Sequence, residues 1–207
     1  MKRRPGTTPR DATTRRAGTT RRPARKGAAR AVVPPRRAGA GTRPRIGFGV
    51  DRHPFAAGRR LVLGGVVVPG ATGLRGHSDA DVLTHAICDA LLGALGLPDL
   101  GTRFPATSAR WRDRESLLFL RDIAGDMRDR GYAVGNLDTV ILAEAPPLAP
   151  HLHAMRKILA GALGCDVEAV SIKPKRGEGV GWIGRGEGME AHAAVLILPA
   201  AGGPLRR

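Results

Sequence analysis

Cysteine is nearly missing from this chain: Cys88 and Cys165 are the only two in 207 residues, and no CxxC spacing occurs. That excludes a disulfide framework and a thiolate zinc site, and it makes the reducing cytoplasm the default compartment. No apolar run approaches the roughly 20 residues that a membrane helix needs, so neither a disulfide-stapled secreted protein nor a membrane protein is expected. Acid is scarce at the start of the chain. Residues 1–44 carry Asp11 alone beside 14 of the 34 lysines and arginines, for a net +13, whereas residues 45–207 hold 20 bases against 17 acids, for +3. The basic balance therefore belongs to the first fifth of the chain, and a nucleic-acid binder over the whole length is not indicated.

Residues 1–44 also lack aromatics and offer one short apolar patch, Ala31-Val32-Val33. Such a segment cannot bury enough surface to offset chain entropy, so disorder is expected. An organelle transit peptide fits its arginines but not its lack of serine. A basic arm touching RNA or DNA phosphates is a second reading. A dispensable extension is the reading the composition favours. Residues 45–207 are enough for one domain with its own core.

Within that domain, Ile46, Phe48 and Val50 alternate and predict a short strand from Arg45 to Val50, just before Asp51. Leu61-Val62-Leu63 and Val66-Val67-Val68 flank Gly64-Gly65 and predict a hairpin that stops at Pro69-Gly70. Ser78 reads as the N-cap of a helix with Asp79 and Asp81 in its first turn and Gly96 as its stop. A second helix is expected from about Arg114 to Arg130, and a third from Pro150 to Gly164. Strands are expected at 137–142, 170–173 and 193–198. Helices and strands mix without strict βαβ alternation, so the expected class is α+β, a mixed sheet covered by helices.

Asp51 and His53, two apart on an extended segment, point the same way and suit one metal ion. Asp81, His85 and Asp89 recur at four-residue spacing and line one helix face. Two carboxylates beside an imidazole is an arrangement that orients a metal ligand, and Asp79, Asp81 and Asp89 are all expected in such an orienting role. His77 and Ser78 precede that helix, where backbone N–H groups favour an anion. Two histidines and a carboxylate with an open fourth position suit catalytic zinc. The glycine-dense stretch 177–188 contains a formal GxGxxG, but glycine and a strand follow it where a dinucleotide site needs a helix. What remains is a backbone-rich loop with Lys173, Lys175, Arg176 and Arg185 around it, suited to polyphosphate, and Glu178 as an acid able to hold a hard cation.

Four motifs in order, Gly49-Val50-Asp51-Arg52-His53-Pro54-Phe55, Gly64-Gly65-Val66, Gly76-His77-Ser78-Asp79-Ala80-Asp81-Val82 with His85, and Gly184-Arg185-Gly186-Glu187-Gly188, resemble the 2-C-methyl-D-erythritol 2,4-cyclodiphosphate synthase family. The resemblance spans about residues 45–199. It implies a cytoplasmic homotrimer with active sites between subunits, and cyclisation of 4-diphosphocytidyl-2-C-methyl-D-erythritol 2-phosphate with release of CMP in the non-mevalonate isoprenoid pathway. It also implies that Asp51, His53 and His85 hold zinc or another divalent transition metal, and that Glu178 holds magnesium or manganese. His77, Ser78 and Asp99 would hold the methylerythritol part. Ala143 with Pro146, Pro147 and Leu148 would form the cytidine pocket, and Arg185 would line the trimer axis. Forty-four residues are too few for a nucleotidyltransferase domain, so fusion to the preceding enzyme of the pathway is not expected.

The chain departs from the family pattern in three places. Lys175-Arg176-Gly177 stands where threonines usually contact phosphate, Pro147 replaces a pocket lysine, and Phe104-Pro105-Ala106-Thr107-Ser108 replaces a more acidic loop. Lys175 and Arg176 are expected to restore the missing charge. The alternative to a cyclase is a non-catalytic, metal-binding trimer that binds anions or acts as a scaffold. A generic zinc hydrolase of phosphate esters would have to recruit Asp81 as its base.

Overall fold

The computed structural model describes residues 43–111 and 114–200. The basic segment, apart from its last two residues, lies outside them, and so does the expectation of disorder. β1 (Arg45–Leu63) is one strand of 19 residues, much longer than the six-residue strand its alternation suggests. It changes partner midway: residues 45–54 pair antiparallel with β5 (Gly188–Pro199), and residues 55–63 pair with β2 (Val66–Leu74). β2 does not stop at Pro69-Gly70. The ladder steps from Leu61↔Val68 to Arg60↔Thr72, so a bulge absorbs the proline that cannot donate to it.

The five strands lie in the order β2-β1-β5-β3-β4. β3 (Tyr132–Leu142) runs antiparallel to β5 and parallel to β4 (Val170–Lys175), and α4 (Leu152–Leu163) makes the crossover between them. The sheet is thus mixed and helix-covered, as the α+β reading expects. Alternation along β5 turns Met189, Ala191, Ala193, Val195 and Ile197 into the core. α1 (Val82–Leu95) lies directly against β1 and β5 and is buried on nearly every side. α3 (Ser116–Asp129) packs against α1 through Leu120, Ile123 and Met127, all buried.

Two glycines set the closeness of α1. A Cβ on Gly47 would lie 1.7 Å from the Ala90 carbonyl oxygen, and one on Gly49 would lie 2.1 Å from that of Ala86. The helix backbone therefore rests on the strand backbone, and His85 is lowered towards Asp51. No described helix covers the other sheet face at Ile46 and Phe48, which are 76% and 63% exposed. None of the described helices is long and apolar enough to cross a membrane.

Candidate metal centre and anion cleft

β1 presents Asp51 and His53 on one side, as their spacing requires, but in the middle of the strand near its change of partner. α1 brings His85 to them. One donor atom from each of the three lies within 4.8 Å of the others. Asp51 Oδ2 is 2.9 Å from both His53 Nε2 and His85 Nδ1, and those two nitrogens are 3.3 Å apart. His53 Nδ1 is 2.7 Å from the Arg75 carbonyl oxygen. A carbonyl only accepts, so Nδ1 carries the proton and Nε2 turns its lone pair towards the carboxylate. Lone pairs that face each other at this range call for a cation among them. Two imidazoles and one carboxylate, all at least partly buried, fit a divalent metal.

Without metal, the same crowding attracts protons. Burial works to raise the Asp51 carboxyl, but hydrogen bonds and charge from His53 and His85 prevail and hold it well below the usual carboxylate range. Burial works to lower His53, and its hydrogen bond to Asp51 overcomes this and raises it above its ordinary value.

The segment before α1 departs from expectation. Ser78 does not cap the helix. Ala80 has a φ of 57°, which turns the chain away from helical geometry, and Asp81 is the N-cap, accepting from Thr84 N at 3.0 Å. Asp81 is fully buried and also accepts from Gly64 N, Gly65 N and the Thr84 hydroxyl, at 2.9, 2.8 and 2.7 Å. Burial pushes its carboxyl up even against these donors. It ties the β1–β2 turn to the helix and does not orient His85. Nor does Asp89, which accepts from Leu100 N at 2.7 Å and whose carboxyl burial raises. With Asp81 committed in this way, the hydrolase reading loses its base.

On the far side of its ring, the partners of His85 are hydroxyls. Its Nε2 is 3.1 Å from Ser78 Oγ and 2.8 Å from Ser116 Oγ. Asp79 reaches the centre only through Ser116, accepting from its N–H at 3.1 Å and from its hydroxyl. Ser116 carries no signal in the sequence, because it comes from another helix and belongs to no motif. His77 is exposed in the turn between β2 and α1. Asp99 is exposed and caps α2 (Leu100–Arg103) by accepting from Thr102 N at 2.7 Å, a bond that lowers its carboxyl.

The residues expected to meet the anion lie around a separate cleft. A cleft of roughly 480 Å³ is lined by Phe55, Ala71, Glu144, Pro146, Arg185 and Gly186, among others. Pro146 follows a cis peptide bond, Ala143 and Leu148 are buried beside it, and Pro147 is exposed. Ala143 N–H donates to the Lys175 carbonyl at 3.0 Å, which joins this stretch to the end of β4. Glu144 takes Arg176 through Nε at 3.2 Å and through NH2, and accepts from Gly177 N at 3.1 Å. The Arg176 hydrogen bond lowers the Glu144 carboxyl. Glu144 is a second residue that sequence reasoning passed over, an acid set within the Ala143 to Pro146 stretch.

The glycine loop contains one turn of helix, α5 (Gly181–Gly184), where the sequence predicts none. Arg185 pairs with Glu187 at 2.6 Å. Glu178 is exposed, has a φ of 49°, and is not part of the Asp51, His53 and His85 group. A single carboxylate does not make a hard-cation site, so oxygens from a bound phosphate would have to complete it.

The YgbB family matches residues 44–198. A 2-C-methyl-D-erythritol 2,4-cyclodiphosphate synthase from Trichlorobacter lovleyi is 49% identical over 155 residues, which is 75% of this chain and 99% of that protein. One from Chlorobium phaeobacteroides is 50% identical over 153 residues, 74% of this chain and 96% of that protein. Among solved structures, a CDP complex of the IspF protein of Plasmodium falciparum superposes with a TM-score of 0.67 at 32% identity, covering 76% of this chain and 97% of that one. A further 2C-methyl-D-erythritol-2,4-cyclodiphosphate synthase gives 0.69 at 36% identity, over 74% and 99% of the two chains. The chain belongs to the YgbB family, the family of the 2-C-methyl-D-erythritol 2,4-cyclodiphosphate synthases.

Proposed function

We propose that this protein is a cytoplasmic 2-C-methyl-D-erythritol 2,4-cyclodiphosphate synthase. The observation that carries the reading is the convergence of Asp51, His53 and His85 on one point, in a chain that matches that family over residues 44–198. The substrate is 4-diphosphocytidyl-2-C-methyl-D-erythritol 2-phosphate. An oxygen of its 2-phosphate bonds to the β-phosphorus, the bond from that phosphorus to the oxygen of CMP breaks, and CMP leaves with the electron pair. The nucleophile is already anionic, so no general base is needed. The protein's task is to fold a flexible polyanion into line and offset phosphate repulsion.

When bound, zinc on Asp51, His53 and His85 and magnesium or manganese on Glu178 would supply Lewis-acid polarisation and charge neutralisation at the phosphates. His77, Ser78 and Asp99 are assigned to the methylerythritol part. The cleft beside Ala143, Pro146, Pro147 and Leu148 is assigned to cytidine, a reading supported by the CDP complex named for the Plasmodium falciparum relative. Lys175 and Arg176 stand in for the threonines and lysine that the family pattern leads one to expect. Glu144 engages two of the five Arg176 N–H donors, which leaves others for a phosphate.

Assembly as a homotrimer, with sites between subunits and Arg185 near the axis, is part of the same reading. It is supported by the uncovered sheet face, where Ile46, Phe48 and Leu198 are exposed in the single chain.

Phosphorus NMR tests the reaction. The full-length chain with substrate, zinc and magnesium should yield cyclic diphosphate and CMP in equal amounts, and His85→Ala should abolish both. No turnover from folded, metal-loaded protein would transfer the lead to the non-catalytic, anion-binding trimer. Arg176→Ala is expected to raise KM about tenfold with a smaller effect on kcat, through loss of a charge-assisted contact. An unchanged KM would remove Arg176 from phosphate binding.

A further inference from the structure

The hydrogen-bond chain behind His85 can be ordered donor by donor. The Asp79 carboxylate only accepts, so the Ser116 hydroxyl, which contacts Asp79 Oδ1, spends its one proton there. The same oxygen is 2.8 Å from His85 Nε2 and has only lone pairs left to offer. Nε2 must then carry the imidazole proton, and Nδ1, 2.9 Å from Asp51 Oδ2, is left with the lone pair. Ser78 Oγ, 3.1 Å from Nε2, accepts from Ala80 N at 3.1 Å and gives the same proton a second oxygen. Ser116 is fully buried and His85 nearly so, which keeps water from competing for these positions. His53 is fixed independently by the Arg75 carbonyl.

We infer that Ser116, held by Asp79, is a positioning residue for the metal centre: it fixes the His85 tautomer and ring orientation so that Nδ1 is the ligating atom. Asp79 thus acts at one remove, through a hydroxyl that belongs to α3. Because α3 begins at Ser116, the seating of that helix and the readiness of the metal site are set by the same side chain.

This rests on the proposed metal role of Asp51, His53 and His85, and the experiment separates the two. Zinc affinity of the full-length protein is measured by competition with a chromophoric chelator for the wild type, Ser116→Ala and Ser116→Thr. Outer-shell partners of metal-bound histidine are worth about tenfold to a hundredfold in affinity. Ser116→Ala should weaken zinc by about that factor, and Ser116→Thr, which keeps the hydroxyl, should recover most of it. Melting of the chelator-treated proteins reports any purely structural effect of the alanine. A lowered melting point with unchanged zinc affinity would overturn the inference.

Nitrogen-15 NMR of the histidine side chains in zinc-loaded wild type needs no variant. It should show the His85 proton on Nε2 and the metal on Nδ1, and ligation through Nε2 would overturn the inference even if the alanine variant failed to fold. A wild type that bound no zinc would sink the metal reading itself.

Discussion

Asp81 shows how a carboxylate within one helical turn of a proposed metal ligand can serve the fold alone. Its two oxygens receive four donors, from Gly64, Gly65 and Thr84, in a fully buried setting. Asparagine there would keep one accepting oxygen and turn an amide N–H2 towards donors. Asp81→Asn should therefore cost about 2–4 kcal/mol in denaturant unfolding. The zinc affinity of the folded fraction should be unchanged, and a large loss of affinity would return Asp81 to the metal centre. That Asp51, His53 and His85 converge was legible through the family resemblance, and the periodicities are consistent with it: residues two apart on β1 share a side, and His85 lies on the inner face of an apolar helix. Asp81 and Asp89 share that helical spacing, yet each is claimed by backbone N–H groups outside the helix. Ser116 and Glu144 were not legible, because what gives them meaning is contact across 31 and 32 residues of sequence.

Among the elements, the α1–β1 contact tolerates least. Gly47→Ala would drive a methyl group into the Ala90 carbonyl, and only movement of the helix can relieve it. The expected cost is at least about 3 kcal/mol, at the upper end for overpacking, because backbone meets backbone. A thermal melt that leaves this variant within 1–2 °C of wild type would show that α1 is less closely seated than described. Helix ends were well forecast by glycine: Gly96 and Gly164 close α1 and α4 with φ of 65° and 72°. The start of α1 was not, since Ser78 and Asp81 are both good caps on paper and only the turn at Ala80 decides between them. β1 was underestimated because Pro54, Ala56, Ala57 and Gly58 break its alternation, and strands made elsewhere in the chain hold it extended.

At the scale of the whole molecule, the uncovered sheet face carries the proposal of assembly. Phe48→Glu places a charge at its centre while leaving Asp51, His53 and His85 untouched. Sedimentation should show a trimer for wild type and smaller species for the variant. A monomeric wild type would end that proposal.

The pairing of β1 with β5 also bears on how the protein comes into being. The first strand of the domain to leave the ribosome is joined along residues 45–54 by the last, with Arg45 opposite Ile197 and Pro54 opposite Gly188. Until β5 has been translated, β1 and β3 each present a bare edge, and α1 lacks part of its floor. A chain truncated before residue 188 would carry Asp51, His53 and His85, the proposed metal ligands, yet lack the strand that pairs with β1 along residues 45–54. If the proposed metal role holds, capture of the ion must therefore wait for β5.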